Sequence, residues 1–155
     1  MLVHHFLEYY ARNTPDLPCL TQHGNTIGYG HVNNASNQLA HGLLDLGVTP
    51  GERIAVLGEN SLEHLLVFMA ASKIGAVAVP LNYRLAPAEL AFIINDANAR
   101  VLVALEGMED TLEGLRQQVN QDIPVLSHGY PNTLHWDEWM LRYPDSAPSV
   151  EVAPG

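Results

Sequence analysis

Three runs of uninterrupted apolar residues constrain this chain more than any other feature: Ile54-Ala55-Val56-Leu57, Ala76-Val77-Ala78-Val79-Pro80 and Val101-Leu102-Val103-Ala104-Leu105. A strand with one wet face alternates apolar and polar residues. A strand that is apolar at every position is covered on both faces, the signature of a parallel sheet between helix layers. The segments between the runs are long enough for crossover helices, and they read as helices. Leu62 to Ile74 is apolar nearly all round, as expected of a helix buried between layers. Pro87 opens a second helix with Leu90, Ile93, Ile94 and Ala97 as its stripe. Strand and helix thus alternate, which predicts an α/β fold: a layered, mostly parallel sheet with helices on both faces.

The remaining segments fit around this frame. His4 to Asn13 is a short helix with Phe6, Leu7 and Tyr10 on one side, ended by Thr14-Pro15. Pro18 to Thr21 and Asn25 to Tyr29 are two short strands about a His23-Gly24 turn. Gly30 to Leu46 has the clearest helical period, closed by Gly47, and Pro50-Gly51 supplies a turn. Arg53 to Leu57 is the strand built on the first run, and Asn60 and Ser61 can cap the helix after it. Met108, Leu112, Leu115 and Val119 mark a later helix, Ile123 to Leu126 a short fourth strand, and Trp136 to Arg142 a last helical turn. Residues 1–145 read as one subdomain and 146–155 as a linker.

Charge excludes some partners. With 17 Asp plus Glu against 7 Lys plus Arg, the chain carries a formal charge of −10. Nucleic acid and anionic membrane surfaces would repel it. The most apolar stretch, Leu62 to Pro80, is interrupted by His64, Ser72, Lys73 and Gly75, so no transmembrane segment is expected. The lone Cys19 excludes an internal disulfide and reads as a small core residue. With no targeting segment legible, the cytoplasm is the expected location.

The chemistry-bearing residue types are present without the spacing chemistry needs. Gly28-Tyr29-Gly30 lacks the third glycine of a dinucleotide fingerprint and follows no apolar parallel strand; no G-x-x-x-x-G-K-[ST] loop exists. The only lysine, Lys73, lies inside a buried helix. Among eight histidines none shows metal-ligand spacing; His4 and His5, adjacent on a helix, are expected to point apart, and no metal site is expected. No Gly-x-Ser-x-Gly elbow occurs, and His135, Asp137 and Glu138 read as solvated. Trp136 and Trp139 read as anchors of the tail onto the core. No catalytic or cofactor-binding residue is assigned. Beyond the carboxyl ends of strands, where doubly wound sheets bind ligands, stand Glu59-Asn60 and Asn82-Tyr83-Arg84. Asn82 and Arg84 are the substrate-binding candidates, with capping and turn formation as the competing role.

Four segments, in order, resemble the N-terminal subdomain of the adenylate-forming ligases, the acyl-CoA synthetase superfamily: Ser36 through Ala55, Asn60-Ser61-Leu62-Glu63, Lys73 through Leu85, and Glu89-Leu90 through Asn95-Asp96-Ala97 ahead of the Val101 strand. The Pro80-Leu81-Asn82-x-Arg84-Leu85 run is most similar to fatty-acid and related carboxylate–CoA ligases. Two positions depart from the family pattern: His31 stands where an acidic residue is usual, and Ala86 where a capping Ser or Thr is frequent. The resemblance implies, for a full enzyme, acid plus ATP giving an acyl-adenylate and pyrophosphate, then CoA giving the thioester, with magnesium assisting. It also implies that the Thr/Ser/Gly-rich phosphate loop follows a segment much like Val150 to Gly155. The expectation is therefore an incomplete sheet: an N-terminal piece, inactive alone, binding no ATP, Mg or CoA by itself. Its expected partners are a second copy of itself or the missing C-terminal portion, as in a split enzyme. A non-enzymatic interaction module and an unrelated doubly wound nucleotide-binding domain are the alternatives.

Overall fold

A computed structural model describes residues 1–119 and 122–153. The chain runs α1 (Val3–Asn13), β1 (Pro18–Gln22), β2 (Asn25–Gly28), α2 (Tyr29–Asp45), β3 (Arg53–Leu57), α3 (Leu62–Ile74), β4 (Val77–Leu81), α4 (Pro87–Asp96), β5 (Val101–Ala104), α5 (Glu109–Arg116), β6 (Val125–Ser127), β7 (Leu134–His135) and α6 (Trp136–Met140). Strands β1 and β2 form an antiparallel hairpin. The other five make one parallel sheet in the order β4-β3-β5-β6-β7.

Alternate residues of the apolar strands serve opposite layers. Ile54, Val56, Val101, Val103 and Leu126 face the core built with α1, α2, α3 and α6. Ala55, Leu57, Leu102, Ala104 and Val125 face the smaller core of α4 and α5. All four residues of β5, and Ile54 to Leu57 of β3, are buried. Fully burying a Val, Leu or Ile stabilises by about 1.5–3 kcal/mol, so these two central strands dominate the sheet.

Helix ends follow local chemistry. Gly47, at φ +83°, ends α2, with its N–H donating to the Leu44 carbonyl and that of Val48 to Leu43. Gly75, at φ +70°, ends α3, and the Ala76 N–H reaches the Ala71 carbonyl. Both are Schellman closures, which need a left-handed residue. Ser61 Oγ accepts from the His64 N–H at 3.3 Å and caps α3. Ala86 has no side-chain acceptor to offer, but its N–H donates to Glu89 Oε2 at 2.9 Å, so half of a capping box survives.

Several expectations need correction. Phe6 is exposed, and His4 instead joins Leu7 on the buried side of α1. Phe68 breaks the all-round burial expected of α3. β4 is not covered on both faces: it is an edge strand, with Val77 and Pro80 exposed. Proline without an N–H is tolerated at an edge. The strand expected from Ile123 begins at Val125; Pro124 contributes only its carbonyl, to the Leu102 N–H at 3.1 Å. β7 follows no apolar run and was not expected.

The segment from Asp145 to Val150 stays on the body. Asn37 Nδ2 donates to the Asp145 carbonyl at 2.8 Å, and His41 Nε2 lies 2.9 Å from the Ser146 carbonyl. Val150 packs against the larger core. Residues 146–153 have no regular structure. Pro154 and Gly155, also assigned to the linker, lie outside the described residues.

Candidate functional site at the carboxyl end of the sheet

The chain leaves β3 through α3 to β4 on one side, then crosses back through α4 to β5 on the other. The two connections diverge between β3 and β5, which is where open α/β sheets form a ligand crevice. A cleft of about 270 Å³ lies there. Its walls are Glu59, Asn60, Ser61 and Glu63 after β3, Leu105 to Gly107 after β5, and Gln22-His23 of the hairpin. Gln22 Oε1 accepts from the Leu62 N–H at 2.6 Å and ties the hairpin to the start of α3. At Gly58 a Cβ would stand 2.5 Å from the Leu105 Cβ, so only glycine lets the two loops meet.

The cleft is acidic. Glu59, Glu63 and Glu106 line it and no Lys or Arg does. Glu63 already complements the positive end of α3. His128 Nε2 lies 4.0 Å from Glu63 Oε1, and its ring stacks on Trp136. A triphosphate would meet three carboxylates and no side-chain cation, so these residues do not fit the phosphates of ATP. They do not gather a magnesium ion either: among the described residues, the one group of three or more His, Cys, Asp or Glu side chains close enough for a single ion lies elsewhere, in α1.

Asn82 and Arg84 do not line this cleft; they follow edge strand β4, whose Leu81 pairs with Leu57 of β3. Asn82 Oδ1 accepts from the Arg84 N–H at 3.1 Å and its carbonyl accepts from the Leu85 N–H at 3.0 Å. Both side chains are exposed, and the Arg84 guanidinium lies 5.6 Å from the Tyr83 ring centre. The contacts they make here build a turn. The structure thus brings Glu59-Asn60 together with the β5 loop in one cleft, whose lining does not include Asn82, Tyr83 or Arg84.

The Gly28-Tyr29-Gly30 segment has a packing explanation. The Tyr29 and Gly30 N–H groups donate to the Leu17 and Pro15 carbonyls at 3.1 and 2.9 Å. A Cβ at Gly28 would lie 2.6 Å from the Pro15 carbonyl oxygen. These donors are spent on the backbone rather than turned toward a phosphate. Lys73 is buried, with Nζ 3.0 Å from Glu8 Oε1 and 2.9 Å from Asn33 Oδ1. Burial pulls its pKa below the usual lysine range, against the opposing pull of Glu8. His135, Asp137 and Glu138 are exposed, while Trp136 and Trp139 are buried as anchors. Cys19 packs beside the larger core, and burial raises its thiol pKa.

Two features escaped sequence reasoning. An apolar recess of about 400 Å³ lies between α1, β1, α2 and α3, lined by Phe6, Leu7, Cys19, Tyr29, Leu65 and Met69 among others. His4 and His5 do not point apart: their ring centres are 4.5 Å apart, and Glu8 joins them. The signal was available, since Glu8 stands four residues after His4 and three after His5, both neighbouring positions on a helix.

Comparison with known proteins places this arrangement. The profile of a family described as AMP-binding enzyme matches residues 7–149. The fatty acid–[acyl-carrier-protein] ligase ScoC of Streptomyces coeruleorubidus is 34% identical over 122 residues, 79% of this chain and 24% of that protein. The long-chain-fatty-acid–CoA ligase FadD13 of Mycobacterium tuberculosis is 37% identical over 92 residues, 59% of this chain and 18% of that protein. Among solved structures, a Mycobacterium tuberculosis fatty acyl CoA synthetase superposes with a TM-score of 0.87 at 27% identity, covering 99% of this chain and 30% of that one. The anthranilate CoA ligase AuaEII superposes with the same TM-score at 25% identity, covering 99% and 29%. The chain therefore spans no more than about a quarter of these two curated relatives, 24% of one and 18% of the other.

Proposed function

The chain belongs to the family of AMP-binding enzymes, and from that premise we propose that it is the N-terminal part of an AMP-forming carboxylic acid–CoA ligase of the fatty-acid type. In the full enzyme an acid and ATP give an acyl-adenylate and pyrophosphate, and CoA then gives the thioester and AMP. The relatives named above support this reading through the reactions in their names. Residues 1–145 supply the layered sheet and 146–155 the linker. The adenylation chemistry belongs to residues outside these 155.

One observation carries the division of labour: the switch-point cleft holds Glu59, Glu63 and Glu106 and no side-chain cation. Adenylyl transfer depends on donors and cations placed around developing negative charge. These residues supply the opposite charge. Asn82 and Arg84 remain the candidates for contact with substrate in the assembled enzyme, where Arg84 offers an exposed cation at the sheet edge.

Titration of the chain with Mg·ATP, followed by amide NMR, tests this. Unmoved signals for Glu59–Glu63 and Leu105–Gly107 at millimolar nucleotide are expected. Saturable shifts confined to those loops would overturn it.

A second reading, a module that works by association, is favoured by the open edge of β4 and the exposed Phe68, Val77 and Phe92. An unpaired edge and exposed apolar side chains mark contact surfaces. The partner in this reading is a second copy or the remainder of a ligase. Sedimentation decides it: a concentration-independent monomer that binds no apolar dye would contradict association.

A further inference from the structure

We propose that His4, His5 and Glu8 form a site for one divalent transition-metal ion of the zinc type, on the first turns of α1. One ligand atom from each side chain lies within 4.8 Å of the other two. Imidazole nitrogen and carboxylate oxygen bind such ions at about 2.0–2.2 Å, so modest side-chain rotation closes the three onto a common centre.

The surroundings favour ligation. His4 is buried and its Nδ1 lies 2.8 Å from Ser72 Oγ, on the neighbouring helix α3. With the Nδ1 proton donated to that hydroxyl, Nε2 keeps its lone pair. Metal-bound histidines characteristically have their other nitrogen held this way. His5 is exposed, so an ion can enter from solvent and keep water in its remaining positions. The Leu2 N–H donates to His5 Nδ1 at 3.3 Å, a long and exposed bond that costs little to give up.

Lys73 is the opposing group. Its ammonium holds Glu8 Oε1 at 3.0 Å, which leaves the second carboxylate oxygen for the ion and places a positive charge nearby. The site is consequently weakened by Lys73, a relation that structural histidines would not show. A bound ion would tie α1 more firmly to α3, through His4 and Ser72.

The test uses the untagged chain and Zn²⁺, or Co²⁺ as a spectroscopic substitute. Calorimetry is expected to give one ion per chain, and Zn²⁺ to shift the imidazole signals of His4 and His5 ahead of the other six histidines. His5→Ala, at an exposed position, is expected to lower affinity about tenfold or more while leaving the melting temperature without metal unchanged. Lys73→Met is expected to raise affinity. Absence of binding, affinity unchanged by His5→Ala, or first shifts at other histidines would each overturn the proposal.

Discussion

Trp139 occupies the space that a side chain at Gly42 would need: a Cβ built there would collide with the Trp139 ring at Cη2. Both residues are buried, and Trp139 also meets Tyr143 edge-on at 5.1 Å. The glycine in the last turn of α2 is thus the seat for α6 and for the chain that follows it.

Gly42→Ala is expected to destabilise the fold, although alanine is ordinarily better than glycine inside a helix by about 1 kcal/mol. Overpacking against a fixed ring costs about 1–3 kcal/mol, so the sum is a net loss. Urea unfolding of the two proteins measures it. A Gly42→Ala protein more stable than the parent would show that α6 yields easily.

Lys73 and Glu8 respond differently to removal. Glu8→Gln leaves a buried ammonium with Asn33 and a neutral amide, and is expected to cost about 2 kcal/mol. The loss stays below that of a fully buried pair because the Glu8 side chain is 29% exposed. Lys73→Met removes the charge and fills the space, and is expected to change stability by less than about 1 kcal/mol. Equal losses from both substitutions would contradict this.

Tyr143 donates its hydroxyl to Asp45 Oδ2 at 2.8 Å and pins the tail to α2. Burial and then the Asp45 carboxylate raise the phenol pKa above 10.0. The folded chain therefore holds this proton where the unfolded chain has released it. Its contribution is fully present below pH 10.0 and is lost as pH rises through the higher folded value. Lys73, whose folded pKa is lowered from 10.5, has the opposite slope in the same alkaline range, so the bulk curve mixes the two. Site-specific NMR of labelled tyrosine separates them. Asp45→Asn is expected to bring Tyr143 back toward 10.0, and an unchanged titration would contradict the assignment.

How legible these features were depends on how far the determining contacts lie in sequence. β3 and β5 declare themselves because every residue is apolar, and α3 because Ser61 and Gly75 mark its ends; its bounds, Leu62–Ile74, are those read from the chain. The hairpin follows from His23-Gly24, both at positive φ. β7 has two residues and exists only because Leu126 and Ser127 offer an edge. β4 is as apolar as its neighbours, and nothing local says that it lies at the edge of the sheet. Which side of α1 is buried was misread at Phe6, because α2 and α3 decide it and not the helix alone. The carboxyl-end position of Glu59 and Asn60 followed from strand order. The acidic company of Glu106 required the fold.

Acid-dependent exchange of labelled pyrophosphate into ATP is the most direct measurement of where the adenylation chemistry resides. With the pure 155-residue chain, Mg·ATP and a panel of fatty and aromatic acids, no exchange above the acid-free control is expected. Exchange that depends on the acid, and that disappears when the chain is unfolded, would contradict the placement of that chemistry outside these residues.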